Sequence, residues 1–214
     1  MQKYNFSIYK KNLQKKLDAD RFEHTLGVAY TAAALAMRYG EDLEQAQLAG
    51  LLHDNAKCLS DEKKIQICNK YNIHMTAVEQ NNPFLLHAKV GAFLAMHKYK
   101  INDKEIIKAI LYHTTGRPNM TMLEKIIYIA DYIEPMRHKA ENLAKVRQMA
   151  FMDIDQALLT ILSDTWEYLK KSGNEIDTIT LKTFEYYKNI AENQDENINI
   201  TEVKPEGNDK NGTI

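Results

Sequence analysis

Apolar residues recur along this chain at spacings of three, four and seven rather than two, the mark of helices that each bury one stripe. Between Arg21 and Gly40 the inward positions run His24, Val28, Thr31, Ala32 and Leu35, and Gly40 supplies a C-terminal stop. Leu48, Leu51 and Leu52 form the next stripe, inside "DLEQAQLAGLL". "SDEKKIQICNKY" reads as an N-capped helix followed by a polar loop around "NNP", and Pro83 opens the run "PFLLHAKVGAFLAMHKY" as a helix start. Asp103 caps "DKEIIKAILYH", which stops at "TTG". "TMLEKIIYIADYI" is apolar on nearly every side and is expected to be a central, enclosed helix. Two more helices are expected at roughly 153–172 and 178–191. No stretch alternates with the period of a strand, so the expected fold is all-α, a helical bundle. From residue 193 the apolar face is lost and Asn, Glu and Asp dominate, which predicts a domain over 1–192 and a polar, disordered tail over 193–214.

Several stripes carry polar groups where aliphatic ones are expected. His24 lies one turn before Val28, and His87 precedes Val90, Gly91 and Leu94 by three, four and seven. His113 follows Ile106 and Ile110 by seven and three, and Asp131 follows Ile127 by four. The stretch "GLLHDNAK" ends an apolar run in the pair His53 and Asp54. Four imidazoles and two carboxylates therefore point inward from five helices. A single histidine on such a stripe is usually a satisfied core residue. Six groups on five stripes would each need a private partner, at roughly 2–7 kcal/mol for every one left without. Convergence on a divalent metal removes that cost, and imidazole with carboxylate suits Fe, Mn, Zn or Co. Adjacent helical residues point about 100° apart, yet at a helix end His53 and Asp54 can both reach one ion. His74, His97 and His138 sit in polar or charged surroundings and are expected at the surface.

Composition narrows the partners. With 8 Gly and 4 Pro among 214 residues, long helices are favoured over turns. A net charge of −1 gives no global field towards nucleic acid or a membrane surface. Neither a signal peptide nor a membrane span is visible, and Cys58 and Cys68 form neither a redox pair nor a zinc knuckle. A cytoplasmic protein is expected, and a homodimer is left open. A polyanionic ligand must then be met locally. Arg21 lies three residues before His24, and Lys57 lies four after His53, on the same side if that helix continues. Arg137 follows the Asp131 helix beyond Pro135, and Thr114 stands beside His113 with a hydroxyl to offer. Arg117 reads as a loop residue.

The order His…His-Asp…His…His…Asp resembles the HD-domain metal-dependent phosphohydrolases, an all-helical superfamily. "HDNAK", "HTTGRPNM" and "IIYIADYIEPMR" are similar to its YqeK branch, over about residues 18–190. That resemblance implies symmetrical hydrolysis of dinucleoside polyphosphates, diadenosine tetraphosphate giving two ADP, with iron as the leading metal and Mn, Co, Zn or Mg as alternatives. It implies His24, His53, Asp54 and Asp131 as ligands of the principal ion. His87 and His113 match the remaining positions, as ligands of a second ion or as phosphate contacts. Asp54 and Lys57 are the expected catalytic pair, with Arg21, Lys57, His87, His113, Thr114 and Arg137 around the substrate. A mononucleotidase on the same site, or a nucleotide sensor without turnover, are the alternatives.

Overall fold

The structure is a computed structural model in which residues 4–138, 140, 142–173 and 175–202 are described. Among these residues there are helices and no strand. In chain order they are α1 (Phe6–Gln14), α2 (Ala19–Tyr39), α3 (Leu43–Leu52), α4 (Asp61–Lys70), α5 (Ala77–Asn81), a 3-10 turn (Pro83–Leu86) and α6 (His87–His97). α7 (Lys104–Tyr112), α8 (Met122–Ile133), α9 (Leu143–Met152), α10 (Ile154–Ser172) and α11 (Thr178–Glu202) follow. The all-α expectation holds.

Local chemistry explains most boundaries. The side chains of Asp18, Asp42, Ser60, Asp103, Thr121 and Asp153 each accept from a backbone N–H of the first turn that follows. Gly40 ends α2 in the left-handed region. Pro83 does start a helical segment, but the run breaks into a 3-10 turn before α6 begins at His87. The polar loop around "NNP" contains α5, closed by a capping box between Thr76 and Glu79. Besides α5, two helices were not expected. α1 buries only Phe6 and Leu13, too thin a stripe to read, and α9 buries Leu143, Val146 and Ala150 beside a charged run. α11 continues to Glu202, beyond the expected boundary at 192, and residues 203–214 of the expected tail lie outside the described residues.

α8 is the axis of the bundle. It packs against α2, α3, α7, α9 and α10, and Leu123, Ile126, Ile127, Ile129 and Ala130 are almost wholly withdrawn from water. Leu35, Leu48, Leu51, Leu52, Ile106 and Ile110 close the same core. Each such side chain stabilises the fold by about 1.5–3 kcal/mol through burial. α2 and α3 meet backbone to backbone: a Cβ on Gly50 would stand 2.9 Å from the Ala29 Cα, so only glycine allows this approach. A second, smaller cluster joins Ala56, Cys68, Leu86 and Val90, with Leu59, Ile65 and Ile67 packed on it. This satellite core anchors the segment after α3, where His53 and Asp54 stand. No helix among the described residues is long and apolar enough to cross a membrane.

Candidate metal centre and active site

The six inward groups expected from the sequence do meet. His24 comes from the middle of α2, His53 and Asp54 from the end of α3, His87 from the start of α6, His113 from the end of α7 and Asp131 from α8. All but Asp131 are buried, and its side chain retains 21% exposure. His74, His97 and His138 are exposed.

One construction repeats through the imidazoles. Nδ1 of His53 donates to the Gly50 carbonyl, Nδ1 of His87 to the Phe84 carbonyl and Nδ1 of His113 to the Ile110 carbonyl, each at 2.7 Å and each three residues back. A carbonyl only accepts, so these bonds fix the proton on Nδ1 and turn the Nε2 lone pair inward. His24 lies mid-helix, where its own backbone carbonyls are taken. Its Nδ1 instead meets Glu134 Oε1 at 3.0 Å. Glu134 is buried just past α8, and its Oε2 accepts from the Met136 amide at 2.7 Å. A Cβ on Gly27, one turn along from His24, would collide with that Oε2. The glycine leaves room for the carboxylate that orients the histidine.

Inside the ring of Nε2 atoms the polar groups are incompletely paired. His24 Nε2, His53 Nε2 and Asp54 Oδ1 are buried and have no hydrogen-bond partner. His24 Nε2 does approach Asp131 Oδ1 to 3.1 Å, but without the alignment of a hydrogen bond. Buried orphans of this kind cost about 1–3 kcal/mol each and call for a partner. Ligand atoms of His24, His53 and Asp131 lie within 4.8 Å of one another, as do those of His53, Asp54 and His113. Inward nitrogen lone pairs beside carboxylate oxygens are the donor set of a divalent metal, and the residues present fit one.

The electrostatics follow from the crowding. Burial raises the Asp54 carboxyl, yet the His53 and His113 imidazoles outweigh it and hold the group well below the usual carboxylate range. Asp131 is likewise held low against its burial by His24, His53 and Arg137. Burial lowers His24, but Asp131 and Glu134 overcome it and leave the imidazole raised. His87 is pushed down to about 3 by burial, with His113 and Lys57 adding to the effect.

The cationic side chains are all at the cluster, in closer engagement than helical spacing suggests. Arg21 pairs with Asp54 Oδ2 at 2.8 Å and Arg137 with Asp131 Oδ1 at 2.8 Å. Lys57 does not ride on a continued helix, since α3 stops at Leu52 and a run of turns follows. Those turns still bring its Nζ to 3.2 Å from His87 Nε2. Thr114 Oγ1 lies 3.1 Å from His113 Nε2 and 3.3 Å from His87 Nε2. Arg117 is more than loop: its guanidinium binds the buried Glu124 at 2.8 Å and steadies the start of α8.

Three positioning groups escape a reading of stripes. Glu134 follows a helix and precedes a proline, so it reads as a boundary residue. Asn55 is buried and donates to the Leu52 and Gly91 carbonyls, at 2.6 and 3.0 Å, which pins the His53–Asp54 turn to α6. Arg147 donates to the Ile133, Glu134 and Arg137 carbonyls and clamps the turn carrying Glu134 and Arg137.

An all-helical bundle around a buried His/Asp cluster is the architecture of the HD domain, and residues 21–136 match the profile of the family described as "HD domain". A symmetrical bis(5'-nucleosyl)-tetraphosphatase of Bacillus subtilis is 38% identical over 81% of this chain and 92% of its own length. A symmetrical bis(5'-nucleosyl)-tetraphosphatase of Staphylococcus aureus is 36% identical over 86% of this chain and 94% of its own. A crystal structure from Clostridium acetobutylicum, described as a predicted HD superfamily hydrolase involved in NAD metabolism, superposes with a TM-score of 0.83 at 39% identity, covering 87% of this chain and 98% of that one. The chain therefore belongs to the HD domain family and, within it, to the family of symmetrical bis(5'-nucleosyl)-tetraphosphatases, which are hydrolases.

Proposed function

We propose that this protein cleaves diadenosine tetraphosphate symmetrically, releasing two ADP, at a divalent metal held by His24, His53, Asp54 and Asp131. The observation that carries the reading is the set of buried, unpartnered inward atoms on His24, His53 and Asp54. Iron is the leading metal, as one ion or two. When bound, the ion supplies Lewis acidity towards phosphate and a water of lowered pKa. The chain's own groups do the rest. Asp54 Oδ1 orients the attacking water, and Glu134 holds the His24 ring in register. Arg21, Lys57 and Arg137 offset the charge that gathers on non-bridging oxygens as the transition state forms. Thr114, His87 and His113 contact the phosphates on the side where Lys57 stands. The water oxygen joins the second phosphorus from one end, and the bridging oxygen leaves with the other ADP.

In this reading residues 1–192 act as one hydrolase domain in the cytoplasm, with dinucleoside polyphosphates rather than nucleic acid as partners. The test is to supply diadenosine tetraphosphate and a panel of mononucleotides to the metal-loaded protein and identify the products by chromatography. ADP as the only adenine product supports the reading. AMP with ATP, or turnover of mononucleotides alone, contradicts it.

A further inference from the structure

The buried face of α11 is polar, unlike that of α8. Asp177, just ahead of the helix, and Thr180, Thr183 and Tyr187 within it are buried at spacings of three, three and four. The proposed chemistry uses none of them. Asp177 accepts from the Thr76 hydroxyl at 3.1 Å and from the Ile179 amide at 2.9 Å. Thr76 caps α5, the helix that leads through the 3-10 turn into His87. Thr183 and Tyr187 reach instead to the connection between α7 and α8, which carries His113 and Thr114.

That connection is held at three points. Gly116 turns it with φ +62°, and a Cβ there would stand 2.8 Å from the Thr183 methyl, so the turn lies flat against α11. Arg117 binds Glu124 of α8 through two nitrogens, at 3.0 and 2.8 Å. Met120 then donates its buried backbone N–H to Tyr187 Oη at 2.8 Å. A buried amide outside a helix needs such an acceptor, and the tyrosine supplies it from 67 residues along the chain. His113 does not depend on this brace, because its ring is turned by the Ile110 carbonyl of its own helix. Thr114 has no such device. Its Oγ1 stands 3.1 Å from His113 Nε2 and 3.3 Å from His87 Nε2, a place set by the path of the connection.

We infer that Tyr187 is a positioning residue for the phosphate side: by holding Met120 it keeps the Thr114 hydroxyl facing the substrate phosphates. The inference rests on the proposed hydrolase reading and adds α11 to the working part of the chain. The brace ends on Thr76, Gly116 and Met120, away from His24, His53, Asp54 and Asp131. It therefore acts on phosphate and leaves the proposed metal ligands in place.

A double-mutant cycle on the metal-loaded protein tests this. It is read as KM and kcat with diadenosine tetraphosphate, and as affinity for inorganic pyrophosphate by calorimetry. Tyr187→Phe keeps the ring and loses the acceptor. It should raise KM about three- to tenfold, with a smaller change in kcat. Thr114→Val should raise KM about tenfold, and adding Tyr187→Phe to it should change KM by less than about twofold. Pyrophosphate affinity should follow the same pattern, with bound metal at the wild-type level in all three variants. A loss confined to packing would instead add in full to that of Thr114→Val. Additive effects, metal lost with Tyr187→Phe, or a wild-type KM in Tyr187→Phe each overturn the inference. Should Tyr187→Phe fail to fold, Thr183→Ser runs the same cycle, since it keeps the bond to the Ile179 carbonyl and removes the methyl against Gly116. Failure of the hydrolase reading shows separately, as wild-type protein that releases no ADP from diadenosine tetraphosphate, and the pyrophosphate cycle still reads the brace.

Discussion

The two sides of the buried cluster differ in charge, although three of their four imidazoles, His53, His87 and His113, are turned by the same device. On one side His24 and His53 face Asp131 and Asp54, and a third carboxylate, Glu134, stands behind His24. On the other, His87 and His113 lie Nε2 to Nε2 at 3.2 Å, with the Lys57 ammonium 3.2 Å from His87. The nearest carboxylate there is Asp54 Oδ1, at 3.4 and 3.5 Å. Arg21 and Arg137 pair with Asp54 and Asp131 on the first side, yet its three carboxylates outnumber those two guanidiniums, and it suits a cation. The second side has no carboxylate of its own beside the Lys57 ammonium, so it suits phosphate oxygens better than a second ion. His113 does share a potential metal group with His53 and Asp54, but an ammonium one residue away would compete with a second ion for that space. The difference teaches that inward histidines need not share one task; their carboxylate neighbours separate the roles.

The comparison can be broken at its centre first. Asp54 touches both sides, so Asp54→Ala should cut turnover on the order of 10³-fold and release bound metal, read by activity and metal analysis of the same preparation. Next, the sides should respond differently. His53→Ala should lose the metal, whereas His87→Ala should keep it and raise KM about tenfold. Metal lost equally from both variants would show that the sides are not distinct. A smaller effect is expected behind His24. Glu134→Gln replaces the carboxylate facing Nδ1 and should lower metal affinity about 10–100-fold, measured by competition with a chelator. The smallest effect is on stability. Gly27→Ala would press a methyl on Glu134 and should destabilise by about 1–3 kcal/mol, seen as a lower melting temperature.

The cluster was legible in the sequence because each member interrupts an apolar stripe that helical spacing reveals. His24, His87, His113 and Asp131 are found that way, and His53–Asp54 marks the end of one such stripe. Glu134 was not, because its place between a helix end and Pro135 reads as a boundary. The signals that point to it are indirect: a glycine one turn from His24, and a carboxylate three residues past Asp131. Lys57 was found for a partly wrong reason, since turns rather than a continuing helix deliver it. Among helices, the strongly apolar α8 was plain, whereas α1 and α9 owe their existence to packing on the core rather than to pattern. The cavity beside the cluster, lined from α8, α9 and α10, was invisible, because no local spacing records that those helices meet.

The central claim, symmetrical cleavage at the Asp54 side of the cluster, is tested most directly by isotope. Diadenosine tetraphosphate is digested in water enriched in oxygen-18 and the products are weighed by mass spectrometry, with wild-type and Asp54→Ala protein in parallel. The account predicts ADP as the sole product of the wild type, half of it carrying one heavy oxygen on its terminal phosphate, and on the order of 10³-fold less product from the variant in the same time. Label appearing in AMP or ATP, or labelled ADP formed by Asp54→Ala at the wild-type rate, would contradict it.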